Sequence, residues 1–191
     1  MEHVKFVSPD QIETFFKKIK SVRDRAMFSV AYFYGLRCGE IRLLQIDDID
    51  FDNNRIFIKA LKNGLSGQHL LNPIVKKNIK QYLEQERLQK RTMQHSLFLS
   101  QKGNAITTTQ IYRLFREYAR KAKFPEDKRH PHVLRHSIAV HLAESGADLY
   151  QVREHLRHKK VDNTMIYFQL TNKSRMEKQR QAFESPMLAR I

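Results

Sequence analysis

Apolar residues recur every three or four positions along almost the whole chain, and this spacing gives way to alternation only once, between Arg55 and Leu71. A chain patterned this way buries helical stripes against one another and has room for one β-hairpin. The expected fold is therefore mainly α with a small antiparallel β-hairpin or sheet. Ser8-Pro9-Asp10-Gln11 reads as a capping box with Pro at the first helical position, and Ile12, Phe15, Phe16 and Ile19 follow at core-facing spacing. A second helix, from about Arg23 to Tyr34, stops at Gly35, a residue suited to a left-handed cap. A third runs from near Cys38 to about Leu44. The alternating stretch predicts strands at Arg55–Leu61 and Gln68–Leu71 around a Gly-containing loop, Lys62 to Gly67. Pro73 opens a long amphipathic helix to about Gln89, Leu97-Phe98-Leu99 reads as a short strand, and Thr107 to Ala122 as helix. Three more helices are expected near 132–145, 148–157 and 162–170, with a charged final helix from Asn172 to Phe183.

No repeat, low-complexity tract or linker interrupts the 191 residues, so residues 1–191 read as one domain. Hydrophobic residues make up 41%, with 12 Phe and 7 Tyr, enough to offset chain entropy by burial. No apolar run approaches the length of a membrane span, and the start Met-Glu-His-Val-Lys lacks the apolar core of a signal peptide. The single Cys38 has no internal disulfide partner. A cytoplasmic protein is expected. Formal net charge is +15, from 35 Lys and Arg against 20 Asp and Glu, and the basic residues are spread along the chain. Such a surface attracts nucleic acid by releasing condensed counterions; anionic membranes attract it too, so motifs must decide.

His132-Val133-Leu134-Arg135-His136 places His132, Arg135 and His136 on neighbouring surface positions of one helix. Leu156-Arg157-His158 follows, and Tyr167 stands nine residues after His158. Upstream lies Tyr34-Gly35-Leu36-Arg37-Cys38-Gly39-Glu40-Ile41. Each of these residues taken singly has an ordinary explanation, as a solvated charge, a satisfied polar group or an amphipathic core residue. As an ordered set, from about residue 8 to 170, they resemble the tyrosine recombinase (phage integrase) family. Its boxes combine Gly-Leu-Arg-x-x-Glu, His-x-Leu-Arg-His, Leu-Gly-His and a Tyr nine residues later. Arg37, His132, Arg135, His158 and Tyr167 match in order and spacing. Lys62 occupies the hairpin turn where the family carries a lysine, with Lys59 as the alternative. One departure stands out: Arg157 replaces the usual Gly, and a larger side chain there would shift the loop or add a phosphate contact. The chain is similar to the small recombinases that invert bacterial fimbrial promoters.

The resemblance implies a tyrosine recombinase catalytic-domain fold and a double-stranded DNA substrate, with no core-binding domain ahead of residue 8. The chemistry is coherent on its own terms. A phosphodiester repels nucleophiles, and Arg37 and Arg135 can hold its oxygens with planar donor forks. A free tyrosine has a pKa near 10, so only about a thousandth is ionised at neutral pH and attack by Tyr167 needs help. His132 is the candidate base or orienter, Lys62 the acid for the leaving 5′-oxygen, and His158 a phosphate donor. His136 and Glu40 are expected to brace the arginine-bearing elements. A zinc pair of His132 and His136 is disfavoured by Arg135 between them, so neither metal nor cofactor is expected. The family implies a homotetramer on two DNA sites, with accessory DNA-bending proteins as further partners, and the tail 172–191 is a segment for exchange between protomers. A non-cleaving DNA-binding regulator and a type IB topoisomerase are the alternatives.

Overall fold

The computed structural model describes residues 4–61, 64–90 and 93–183. Eight α-helices and a three-stranded antiparallel sheet are formed by these residues. Helix α1 (Pro9–Lys18) begins as the sequence predicts: the Ser8 hydroxyl accepts from the Gln11 N–H, and the Gln11 side chain accepts from the Ser8 N–H. Helix α2 (Val22–Phe33) ends at Tyr34, and Gly35 takes φ +57°. Its Cα also faces a crowded wall, since a Cβ there would lie 2.7 Å from a Leu156 methyl. Both features favour glycine at 35. The chain then enters α3 (Cys38–Leu43).

Strands β1 (Ile49–Asp50), β2 (Arg55–Ile58) and β3 (Gly67–Leu70) follow, with Ile49 opposite Ile56 and Ile56 opposite His69. Strand β1 was not anticipated; two residues carry no readable alternation. Helix α4 (Pro73–Tyr82) passes into a π-turn over Leu83–Arg87, where Leu88 N–H reaches back five residues to Leu83 O. That turn rotates Arg87 inward, and its guanidinium satisfies the carbonyls of Ser96 and Gln94. The short strand expected at Leu97–Leu99 does not form: the segment is buried and pairs through isolated bridges, Ser96 with Gln45 and Leu99 with Ala105.

Helices α5 (Thr108–Lys121), α6 (His132–Glu144) and α7 (Leu149–His155) match the predicted periodicity. The last two expected helices are one, α8 (Asp162–Phe183). No Gly or Pro lies between these ends, and Thr171 at the expected junction is buried with its hydroxyl donating to Phe168 O, so nothing breaks the helix there. Two apolar clusters hold the domain. The larger centres on Phe15, whose ring packs against Phe28, Phe115 and Phe124 at 5.2–5.7 Å. The smaller joins Ile138, Val140, Val152, Leu156 and Tyr167 from α6, α7 and α8. Val7, ahead of α1, is tied to α6, where Ser137 accepts from Val7 N–H and the His141 ring meets Val7 O at 3.0 Å. Among the described residues no helix is long and apolar enough to cross a membrane.

Candidate active site

The turn between α2 and α3 delivers the first arginine. Arg37 caps α3 through its backbone, and Glu40, in the first turn, accepts the Arg37 N–H at 2.9 Å. The same carboxylate takes Arg37 Nη1 at 3.0 Å, so backbone and guanidinium are fixed together. Glu40 is fully buried and Arg37 about one-third exposed, which presents the guanidinium at a surface while its anchor is out of water.

Helix α6 delivers the second arginine. Arg135 is buried, its Nη1 donating to Gly35 O at 2.5 Å and its Nη2 to Leu156 O at 2.6 Å, with Glu40 Oε2 3.9 Å away. Those carbonyls end α2 and α7, so Arg135 fastens three helices at one point. Burial and the neighbouring Arg37 lower its pKa to about 10, which leaves it a cation at neutral pH.

Tyr167 comes from α8 and is 2% exposed. Its hydroxyl lies 2.9 Å from His136 Nδ1. Burial, with the His132 and His130 charges, lowers the His136 pKa to about 4, so the ring that shares this hydrogen bond with the tyrosine is neutral. Burial raises the Tyr167 pKa, and Arg135 and Arg37 oppose that rise. His132 stands one turn before His136 and reaches solvent, the two rings 6.4 Å apart; partial desolvation, then Arg135 and Arg37, lowers its pKa. His158 is buried, bonded through Nδ1 to the Thr164 hydroxyl at 2.9 Å; burial, then the three nearby arginines, push its pKa down to about 3.

The structure thus brings Arg37, Glu40, Arg135, His132, His136 and Tyr167 to one wall, with His158 against α8. Sequence reasoning made His132 the base or orienter of the tyrosine and set His136 to brace the arginine-bearing elements; in the structure it is His136 that touches the hydroxyl. Thr164 was missed, because its role depends on the loop folding His158 back onto α8. The Arg157 side chain does not reach outward. The residue takes φ +57°, is buried, and binds Glu40 Oε2 at 3.3 Å. Lys62 lies outside the described residues. The residues flanking it are placed: Leu61 packs against Gly39 of α3, and Gly64 bridges to His158. Lys59 is held by Asp48 at 3.2 Å and Gln45 at 3.3 Å.

The sequence profile of the Phage integrase family matches residues 5–174. The chain belongs to the phage integrase family. Among its relatives, tyrosine recombinase XerD of Staphylococcus saprophyticus subsp. saprophyticus is 33% identical over 153 residues, covering 78% of this chain and 51% of that protein. The type 1 fimbriae regulatory protein FimE of Escherichia coli (strain K12) is 32% identical over 148 residues, 76% of this chain and 73% of that one. The chain therefore spans about half the length of the XerD it matches. Of solved structures, XerA recombinase superposes with a TM-score of 0.81 at 28% identity, over 94% of this chain and 65% of that one. XerH site-specific recombinase, in a post-cleavage complex with palindromic difH substrate, superposes at 0.83 and 26%, over 96% and 54%. The fold is that of the phage integrase catalytic domain.

Proposed function

We propose that this integrase-family chain is a site-specific DNA recombinase that cuts and rejoins duplex DNA through Tyr167. The observation that carries this reading is the convergence of Arg37 and Arg135 on Glu40, beside a tyrosine hydroxyl hydrogen-bonded to a neutral imidazole. The Tyr167 oxygen attacks the scissile phosphorus, losing its proton to a histidine, either His136, its partner in the buried position, or His132, one turn away on α6. The P–O bond to the 5′-oxygen breaks, and that oxygen leaves as a hydroxyl with a proton from Lys62, or from Lys59 in the alternative register. Arg37, Arg135 and His158 carry the charge on the non-bridging oxygens. The 3′-phosphotyrosyl ester conserves the energy of the broken bond, so attack by a 5′-hydroxyl reseals DNA without ATP. In this reading Tyr167 must turn out of the α6–α8 core to reach DNA, since it is 2% exposed.

Integration, excision or inversion, by a homotetramer on two DNA sites with accessory DNA-bending proteins, in the cytoplasm, completes the proposal. The test incubates wild type and Tyr167→Phe with a library of nicked suicide duplexes and sequences SDS-resistant adducts. Adducts from wild type alone, on a shared sequence, are expected. Tyr167-dependent adducts without sequence preference would turn the reading to a topoisomerase, and none, with DNA bound, to a non-cleaving regulator.

A further inference from the structure

Position 157 carries an arginine in a backbone conformation that favours glycine, with φ +57°. A long side chain is kept in such a place only if its contacts compensate the strain. Here they are specific. Arg157 is 3% exposed; its Nη1 donates to Tyr34 O at 3.1 Å and His155 O at 3.0 Å, and its Nη2 to Glu40 Oε2 at 3.3 Å. Arg37 holds both oxygens of that carboxylate, Oε1 through Nη1 at 3.0 Å and Oε2 through its backbone N–H at 2.9 Å, and Arg135 stands 3.9 Å from Oε2. One fully buried carboxylate thus lies among three guanidiniums, two of which belong to the proposed phosphate site.

We propose that Arg157 is a positioning residue for DNA cleavage: it pins Glu40 Oε2 from behind, so that Oε1 holds the Arg37 guanidinium toward the phosphate and Arg135 keeps its carbonyl ligands. Without Arg157 the carboxylate is held by Arg37 alone, through its N–H and its Nη1, and can swing together with that residue about its last torsion, which is broad and soft. Swinging toward Arg135 would shorten the 3.9 Å gap, draw that guanidinium from Gly35 O and Leu156 O, and carry Arg37 out of place. Arg157 prevents this because its planar fork is fixed to two backbone carbonyls as well as to Glu40. Its own backbone adds a second tie, for Arg157 O accepts Leu65 N–H at 3.2 Å and so holds the far side of the hairpin loop against His158.

The inference rests on the recombinase reading. Its test measures single-turnover formation of the phosphotyrosyl adduct on a nicked duplex that wild type selects from the library. Arg157→Gly suits the backbone, and Arg157→Asn, which also tolerates a left-handed conformation, is the second variant should the first fail to fold. The glycine variant is expected to bind DNA within about threefold of wild type and to cleave about tenfold or more slowly, the effect of one lost charge-assisted bond on an aligned group. Arg157→Lys, with the charge but without the fork, is expected to recover only part of that rate. In a Glu40→Gln background the same substitution is expected to cost less than about threefold, because the two act together. Cleavage by Arg157→Gly at the wild-type rate, or an equal loss with and without Glu40, would overturn the inference while leaving the recombinase reading intact. No adduct from wild type would remove both.

Discussion

At the scale of single residues, the site is a set of charges whose values are set by burial. The two arginines differ in kind: Arg37 is partly exposed and anchored on one carboxylate, whereas Arg135 is buried and serves as a strut between helices. Arg37→Ala is therefore expected to leave the fold and DNA binding nearly intact while slowing adduct formation by about a hundredfold or more, the effect of removing one transition-state donor. Single-turnover rates beside binding isotherms check this. Gly35→Ala acts differently. The added methyl would meet Leu156 at 2.7 Å in a left-handed backbone, displacing the carbonyl that Arg135 binds. We expect a loss of about 1–2 kcal/mol or more in stability, read by chemical denaturation, together with lost cleavage. These roles were legible in the Gly-Leu-Arg-x-x-Glu turn because the backbone conformation at Gly35 and the capping distance from Arg37 to Glu40 are local. The contact of His136 with Tyr167 was not legible, because the two are 31 residues apart and meet only through the packing of α6 on α8.

At the scale of elements, helix starts were the most readable features. Ser8, Asn72, Thr107 and Asp148 each accept from the first-turn backbone, and their signatures are contained in four residues. Helix ends were harder to place: the polar change after Leu170 suggested a break, yet α8 continues because hydrogen bonding along the helix does not depend on whether its outer face meets a core. The proposal that the tail is exchanged between protomers gains a geometric form from this continuity, for Met176 and Phe183 on α8 are 72% and 65% exposed. Deleting residues 173–185 is expected to leave monomer stability and single-site DNA binding unchanged while abolishing tetramers on paired sites and recombination. Light scattering of the DNA complex and a recombination assay read the two effects. Tetramers that form normally without the segment would refute the exchange.

At the scale of the whole molecule, four histidines are held neutral by their surroundings. Burial, with nearby cations, lowers the pKa of His69, His136 and His155 to about 4 and that of His158 to about 3. In the unfolded chain they titrate near 6.5. Between these values the unfolded state binds protons that the folded state refuses, so stability falls as pH drops below 6.5 and is unaffected by these groups above it. The melting temperature is accordingly expected to be lower at about pH 5 than at about pH 7, with a shallower pH dependence in His136→Asn. A melting temperature flat over that range would contradict the neutral-histidine description of the site.

The sequence by itself determined most of the helices and their starts, the hairpin of β2 and β3, the basic character of the chain and the ordered set of residues that marks the family, since each depends on neighbours along the chain or on composition. Tertiary structure alone decided which groups meet. It set three guanidiniums around Glu40, turned Arg157 inward, gave the tyrosine's hydroxyl to His136 instead of His132, and folded His158 onto Thr164. The reason is physical: a side chain's partner and pKa depend on burial and on charges brought within a few ångströms by packing, and that proximity is not contained in any local run of residues.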